Sequence, residues 1–577
     1  MNRYFIKKVG LSIIVLSILL FVNFPMNVTA NADPIDVIIH IDPETIIFEG
    51  DIIDCTITGD PTITYWQING QSHHTTFYGD DPVIFDPEPT PPDDEFVELT
   101  VYAENEQYSD SETITLKVKR LYFGDIHFHS TISDGYNPVD ELYQNTINDN
   151  YLDFVSLTDH AEIINQQDLT PPQPLWMRLR GFLQVLRHKI LGFDEWDYLK
   201  GKVNEYYLPE SFTTILGYEW SSGPWFPGGF LFSPNANQDV GHINFYYKDM
   251  YPDALEISAW EAYTFDDIFL AMEDEWDRGH LNVGFPHHPL SKFNSWGHYT
   301  VDWTFLANNM ENPSSRAKIL RGVETYSKWG TSIGKYSGLP VNWFYAPDSY
   351  VDEEVYWVEN GIWEWSKEER VGQPFAMMAS SDNHGVDRAG SASMQGNRIA
   401  KNHPNPSGLI AAYAVHNNRA EIWDAMNNCS IYGVQQLKMR ANLRLDGQMA
   451  IGNWITCTSP LQIQVTALST FPGLDSSGRS MTPHGYDSNE LDYPIQDIWI
   501  IKKDTEKGQP WCKIIEHVEP DSDLAVIEFE DPHVQPNDFY YIAIRQKGQL
   551  LEGGDSRDDA RDEFMSFIGP VFIESVE

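Results

Sequence analysis

The stretch "GDIHFHSTISDG", residues 124–135, places His127 and His129 two positions apart and Asp134 five further on. The apolar residues ahead of it, "RLYF", read as a β-strand, in which positions i and i+2 project to one face. Both imidazoles therefore leave the strand end in one direction, and the short "STISDG" turn can fold the Asp134 carboxylate back beside them. Two neutral imidazoles and a carboxylate converging on one point suit a borderline divalent cation: zinc, manganese or iron. An isolated HxH also fits two polar residues leading into a loop, so the rest of the chain has to decide.

The same residue types recur at the tips of later apolar runs. "DFVSLTDH" ends in Asp159 and His160, "TTILGYEW" brings Glu219, "GHINFYY" begins with His242, "LNVGFPHHP" ends in His287 and His288, "GVETYS" carries Glu324, and "FAMMASSDNHG" ends in Asp382 and His384. In an α/β barrel the functional residues come from the C-terminal ends of several strands, where the loops gather. One such tip is unremarkable, because an isolated strand-end His is commonly a hydrogen-bonded structural residue. Seven runs tipped with His, Asp or Glu point to a metal site.

The elements that must position these tips follow from texture. From about residue 119, apolar runs alternate with helical stretches such as "NPVDELYQNTINDN", "TFDDIFLAMEDEWDRGH" and "NRAEIWDAMNNCS", a pattern that implies parallel strands with crossover helices. An insertion at about 163–210 contains an amphipathic basic segment, Leu175 to Ile190, with Arg178, Arg180, Arg187 and Lys189. It fits a helix packed on the barrel, a lid over an anionic substrate, or a membrane-surface contact. Residues 33–118 read as short Ile/Val/Thr/Tyr-rich strands in a small Ig-like sandwich, and residues 438–577 as a second β-rich domain.

A chain of 577 residues is long enough for several domains, and 42% hydrophobic residues make it globular. The formal charge of −47 argues against nucleic acid as a stable partner, since phosphate neutralisation needs clustered Lys and Arg. At the N-terminus, Arg3, Lys7 and Lys8 precede the apolar run "LSIIVLSILLFV", and small residues follow at Ala30 and Ala32. Residues 1–32 therefore read as a signal peptide, with a secreted or cell-surface product. Membrane contact is expected only if that segment is retained. Four scattered cysteines, Cys55, Cys429, Cys457 and Cys512, form no CxxC pair and read as free thiols or one incidental bridge.

"GDIHFHSTISDG", "LTDH", "GYE", "GHIN", "FPHHP" and "SSDNH", in this order, resemble the motifs of the PHP (polymerase and histidinol phosphatase) superfamily. "GYEWSS…GHINFYY" and "LIAAYAVHNNRAEIWDAMNNCSIYG" are further similar to a family of large bacterial and archaeal PHP-like proteins with β-rich tails and unassigned function. The resemblance spans roughly residues 119–570. It implies an α/β fold: a distorted (β/α)7 PHP-type barrel over 119–437, flanked by N-terminal and C-terminal β-sandwich-like domains.

It also implies two or three divalent metal ions (Zn, Mn or Fe). Carried over by motif, His127, His129, Glu219 and Asp382 hold the first, Glu219 bridges to a second held by His242 and His287, and Asp134, His160 and His384 hold a third. In "FPHHP" the family's Pro-His-Asn pattern favours His287, while the commoner His-Pro pairing favours His288. Asp125 and Asp159 read as partners orienting nearby imidazoles, and Asp159 is grouped with Arg388 as catalytic; Arg388 fits a phosphate clamp or a salt bridge. Glu324 fits a further residue of the ligand shell or a strand cap. The expected activity is that of an exported metal-dependent phosphoesterase acting on a small-molecule or polymer phosphate ester. The alternatives are a metal-dependent hydrolase of another ester or amide, or a non-catalytic surface protein whose β domains bind a glycan or a protein.

Overall fold

The computed structural model describes most of residues 34–577. The stretches 165–193, 222–240, 301–317, 341–356, 390–406, 470–490 and 551–562 lie outside the described residues, as do residues 1–33 and a number of shorter stretches, the longest of them in the N-terminal hundred residues. The signal segment, the basic part of the insertion, His288 and Arg388 therefore fall outside the description.

The described residues are mixed α/β, with many strands in several sheets and five α-helices. The longest strand, Ser109–Asp125, runs from the N-terminal sheet into the centre of the molecule. Its first half alternates between exposed and half-buried positions, and from Arg120 onward every residue is buried. That switch from a two-faced sheet to a fully enclosed strand is the physical origin of the change in composition near residue 119. The boundary expected between residues 118 and 119 thus lies inside one continuous strand.

Around the His-rich tips, hydrogen bonds link successive segments side by side. Asp153 N donates to Phe123 O at 2.8 Å and Thr213 N to Asp153 O at 2.9 Å. Gly217–Ser221, His242–Tyr247 and Asn282–His287 form an antiparallel meander. Arg321 N then donates to Gly284 O at 3.3 Å, and Gly322–Ser327 pairs in parallel with Ala376–Ala379. Asp382 N to His127 O at 2.7 Å and His129 N to Asn383 O at 2.9 Å return the path to its start. The result is a ring of strand segments.

It departs from the expected (β/α)7 barrel. Helices do not follow each strand among the described residues, and His242–Tyr247 runs against its neighbours. The reversal explains why His242 opens its apolar run while the other candidate residues close theirs. Pairing of Ser221 with His242 and of His242 with His287 sets the three in one row at the same end of the meander.

The three helices expected from sequence form at Val139–Asp149, Phe265–Asp277 and Arg419–Asn427. The last starts at Asn418, whose side chain accepts from Glu421 N at 3.0 Å and satisfies a donor the first turn leaves open. In the C-terminal region, Glu563–Val576 pairs with Phe539–Lys547 and, through Ser566 and Phe567, with Ile431–Gln435. The C-terminal β region is therefore continuous with the central sheet. Cys429, Cys457 and Cys512 are buried free thiols.

Candidate metal centre

Alternation along Gly217–Ser221 builds the centre of the site. Tyr218 and Trp220 face the hydrophobic core and are fully buried, and the Trp220 indole N–H donates to Ala262 O at 3.1 Å. Glu219 and Ser221 project to the opposite face, into the ring. There the Glu219 carboxylate splits its two oxygens. Oε2 lies 3.3 Å from His127 Nε2 and 3.2 Å from His129 Nε2. Oε1 lies 3.0 Å from His287 Nε2, accepts from His242 Nδ1, and is 3.3 Å from His160 Nδ1.

Asp382 completes the first group. Its Oδ1 is 3.4 Å from His127 Nε2 and 3.2 Å from His129 Nε2, and those two nitrogens are 3.3 Å apart. Asp382 reaches this position with φ of 49°, in the left-handed region that Asp tolerates better than most side chains. His127 Nε2, His129 Nε2 and Glu219 Oε2 stand 3.2–3.3 Å apart, so a point about 2.0 Å from all three exists, which is the reach of zinc to nitrogen and oxygen ligands. Calcium takes oxygen ligands, whereas two of these three atoms are imidazole nitrogens. The residues present therefore fit a small borderline divalent cation.

Asp134 gathers a third group at the rim. Its Oδ1 lies 3.3 Å from His384 Nε2, 3.6 Å from His160 Nε2 and 3.8 Å from His129 Nδ1. The turn that delivers it closes on a bond from Gly135 N to Ser130 O at 2.8 Å. A Cβ on Gly135 would come within 2.3 Å of the His129 carbonyl oxygen, so only glycine permits that closure. Every residue expected as a ligand, His127, His129, Asp134, His160, Glu219, His242, His287, Asp382 and His384, lies within this cluster. Four combinations drawn from the others of these residues and Glu324, without Asp382, bring ligand atoms close enough to hold an ion. His287, the member of the "FPHHP" pair that is described, reaches Glu219.

Charges are balanced within the cluster. Burial alone would lower His127 and His129, but Asp382 and Glu219 beside them outweigh it and hold both above the ordinary imidazole value, His129 at about 9. His160 goes the other way: burial outweighs Glu219 and Asp134 and takes it down to about 4. Burial favours a neutral Glu219, yet His160, His287 and His242 hold it well below the usual carboxylate range. Asp134 is likewise kept below that range, its burial outweighed by His384 and His160.

The off-site nitrogens of the imidazoles have partners of their own. His127 Nδ1 is 3.5 Å from Glu324 Oε2, which also accepts from Ser380 Oγ. Glu324 is thus neither a strand cap nor an isolated carboxylate; it fixes the ring that offers Nε2 to Glu219 and Asp382. His129 Nδ1 is 3.4 Å from Ser133 Oγ, whose hydroxyl donates to Asp159. Asp159 also accepts from Ser130 N at 2.8 Å and Ser130 Oγ at 2.6 Å.

Two further expected residues take other contacts. The Asp159 carboxylate is engaged by the 130–133 turn and reaches His129 through the Ser133 hydroxyl. Asp125 accepts from His127 N at 3.2 Å and from Ser381 N at 3.0 Å, and so ties two backbone segments together. Sequence reasoning misses Ser133, Ser221 and Ser380. Their only signal is their place beside the tips, and serine is too common at strand ends for that to mark them.

No protein-family model matches the chain, and no curated protein matches it. Among solved structures it is similar to a two-domain protein from Bacteroides vulgatus described as containing a predicted PHP-like metal-dependent phosphoesterase. That likeness has 12% identity and a TM-score of 0.31, over 75% of this chain and 96% of the other. A β-glucuronidase from Parabacteroides merdae matches at 8% identity and a TM-score of 0.16, over 95% and 66% of the two chains. A β-glucuronidase from Bacteroides uniformis matches at 9% identity and a TM-score of 0.16, over 94% and 61%. Likeness at this level carries no argument about the site, which rests on the geometry above.

Proposed function

We propose that the chain is a metal-dependent hydrolase acting on a phosphate ester. The observation that carries the reading is the division of Glu219, one oxygen toward His127 and His129 and the other toward His242 and His287. A carboxylate divided in this way suits two cations placed side by side. His127, His129, Asp382 and Glu219 Oε2 would hold one, His242, His287 and Glu219 Oε1 a second, and Asp134, His160 and His384 a third. When bound, such cations supply a hydroxide near neutral pH and stabilise charge on the attacking and leaving oxygens.

The chain's own residues prepare that chemistry. Glu324 orients His127, and Asp159 orients His129 through Ser133. His384 Nδ1 lies 3.1 Å from Asp382 O, which turns Nε2 toward Asp134. Asp134 and His384 are the partly exposed members, with side chains 21% and 18% exposed against 0–6% for the other candidate ligands, so an ester meets the cluster from their side. Ile126, Phe154, Ile215, Val283, Phe285 and Met378 belong to one buried apolar cluster of the ring, which keeps bulk water from reaching the site through the core.

Export, with the two β regions binding a glycan or a protein on the cell surface, is part of the same proposal. It rests on the N-terminal sequence and the acidic composition. Among the described residues no helix is long and apolar enough to cross a membrane. Elemental analysis of the purified protein, followed by a panel of phosphomonoesters and phosphodiesters, tests the reading. Two or three equivalents of zinc, manganese or iron with phosphate release, both lost in His127→Ala/Asp382→Ala, are expected. Metal without phosphate release would redirect the assignment to another ester or to an amide, and no metal after reconstitution would overturn it.

A further inference from the structure

His160 faces two groups at once. Its Nε2 is 3.6 Å from Asp134 Oδ1, while its Nδ1 is 3.0 Å from Ser221 Oγ and 3.3 Å from Glu219 Oε1. Ser221 is fully buried, and its hydroxyl donates to Glu219 Oε1 at 3.2 Å. A serine hydroxyl carries one proton and two lone pairs, and a neutral imidazole carries one N–H. If the Ser221 proton goes to Glu219, its lone pair is left to accept from His160, which places the imidazole proton on Nδ1 and a lone pair on Nε2.

We propose that Ser221 is a positioning residue that holds the His160 proton on Nδ1 and so commits its Nε2 to the Asp134 group. The inference rests on the metal-site reading above and goes beyond it by assigning the residue that orients one of its ligands. Without the Ser221 hydroxyl, the His160 proton is divided between Glu219 Oε1, 3.3 Å from Nδ1, and Asp134 Oδ1, 3.6 Å from Nε2. A proton on Nε2 takes that nitrogen away from the Asp134 group.

Two measurements on wild type, Ser221→Ala and Ser221→Thr test this. The first is the tautomer of His160 in histidine-labelled, metal-free protein, read from two-bond nitrogen–proton couplings. Wild type and Ser221→Thr, which keeps the hydroxyl, are expected to show the Nδ1–H form, and Ser221→Ala a mixed or altered state. The second is manganese binding by calorimetry, with circular dichroism confirming the fold of each variant. Ser221→Ala should weaken one equivalent by about 10–100-fold, the usual cost of removing a partner behind a ligand, while the equivalent held by His127, His129 and Asp382 is unchanged. Ser221→Thr should restore the loss.

An unchanged His160 tautomer in Ser221→Ala, or binding of manganese with wild-type number and affinity, would overturn the proposal. Failure of wild type to bind any cation would instead defeat the metal-site reading, and the tautomer would still decide the role of Ser221.

Discussion

Glu219→Gln is the substitution with the widest expected consequence. It preserves the shape and packing of the side chain on a strand whose other face is locked by Trp220 and Tyr218, so the fold should survive. It removes the negative charge and converts one oxygen to an amide nitrogen that cannot ligate. Because the two oxygens serve different groups, with Oε2 at 3.2–3.3 Å from His127 and His129 and Oε1 at 3.0 Å from His287, both groups are affected at once: one loses its ligand and the other keeps only a neutral amide oxygen. Cations held by four protein ligands gain on the order of 10–16 kcal/mol, or roughly 2.5–4 kcal/mol per ligand. The group that loses its ligand should therefore weaken by on the order of a hundred- to a thousandfold, and the other by a smaller factor.

Asp382→Asn is the matched control, because Asp382 Oδ1 approaches the His127 and His129 nitrogens of the first group and, at 3.5 Å, the third-group candidate His384. Calorimetric titration of metal-free protein with manganese, backed by elemental analysis after gel filtration, distinguishes the two patterns. Glu219→Gln should affect the groups on both sides of the carboxylate, whereas Asp382→Asn should spare the His242 and His287 group. If Glu219→Gln lost a single equivalent, or gave the same profile as Asp382→Asn, Glu219 would not be a bridge and the two-cation reading would fail.

Glu324→Gln should weaken only the first equivalent, by about 10–100-fold, since it acts through His127 Nδ1 rather than as a ligand; an equal loss at the second would show that it ligates directly. Trp220→Ala removes a fully buried indole and its bond to Ala262 O, and should cost about 3–5 kcal/mol in urea unfolding. A loss near zero would mean that the Gly217–Ser221 strand is not held by this side chain. Glu359, fully buried and accepting from Gly334 N at 2.6 Å, is pushed up to about 7 by burial. Its folded value lies above the unfolded one, so its stabilising contribution is present below the ordinary glutamate range and is lost as pH rises through about 7. Stability should fall by up to about 3 kcal/mol between pH 4.5 and 7.5 from this group, and Glu359→Gln should remove that part of the slope. An identical pH slope in wild type and variant, compared by urea midpoints, would refute the assignment.

The candidate cluster is legible in the sequence because its signal is local: a strand end fixes where each tip projects, and the recurrence of His, Asp and Glu at successive tips does not depend on knowing the fold. The partners of those ligands are not legible for the opposite reason. Glu324 lies 197 residues from His127 in sequence, and only closure of the ring brings them together. Asp159 shows how a contact can run at one remove, since it reaches His129 through Ser133, a residue with no marker of its own.

Architecture is hard to read where one texture has two physical causes. Fully buried strands look alike whether their neighbours run parallel or antiparallel, so the apolar run His242–Tyr247 fits a parallel set as well as the antiparallel one it joins. The one clue is that its histidine opens the run. Glu563–Val576 does not stand out as a strand because Pro570 sits inside it, and proline removes a ladder donor. The register there steps from Tyr540–Val571 to Ile542–Ile568, leaving Gly569 and Pro570 outside the ladder, while Pro570 O accepts from Gly452 N at 2.6 Å. The strand survives because the irregularity falls where its proline needs no partner. A proline inside an apolar run, or a histidine at its wrong end, therefore carries information about how the neighbouring strand pairs, and it does not by itself rule the run out as a strand.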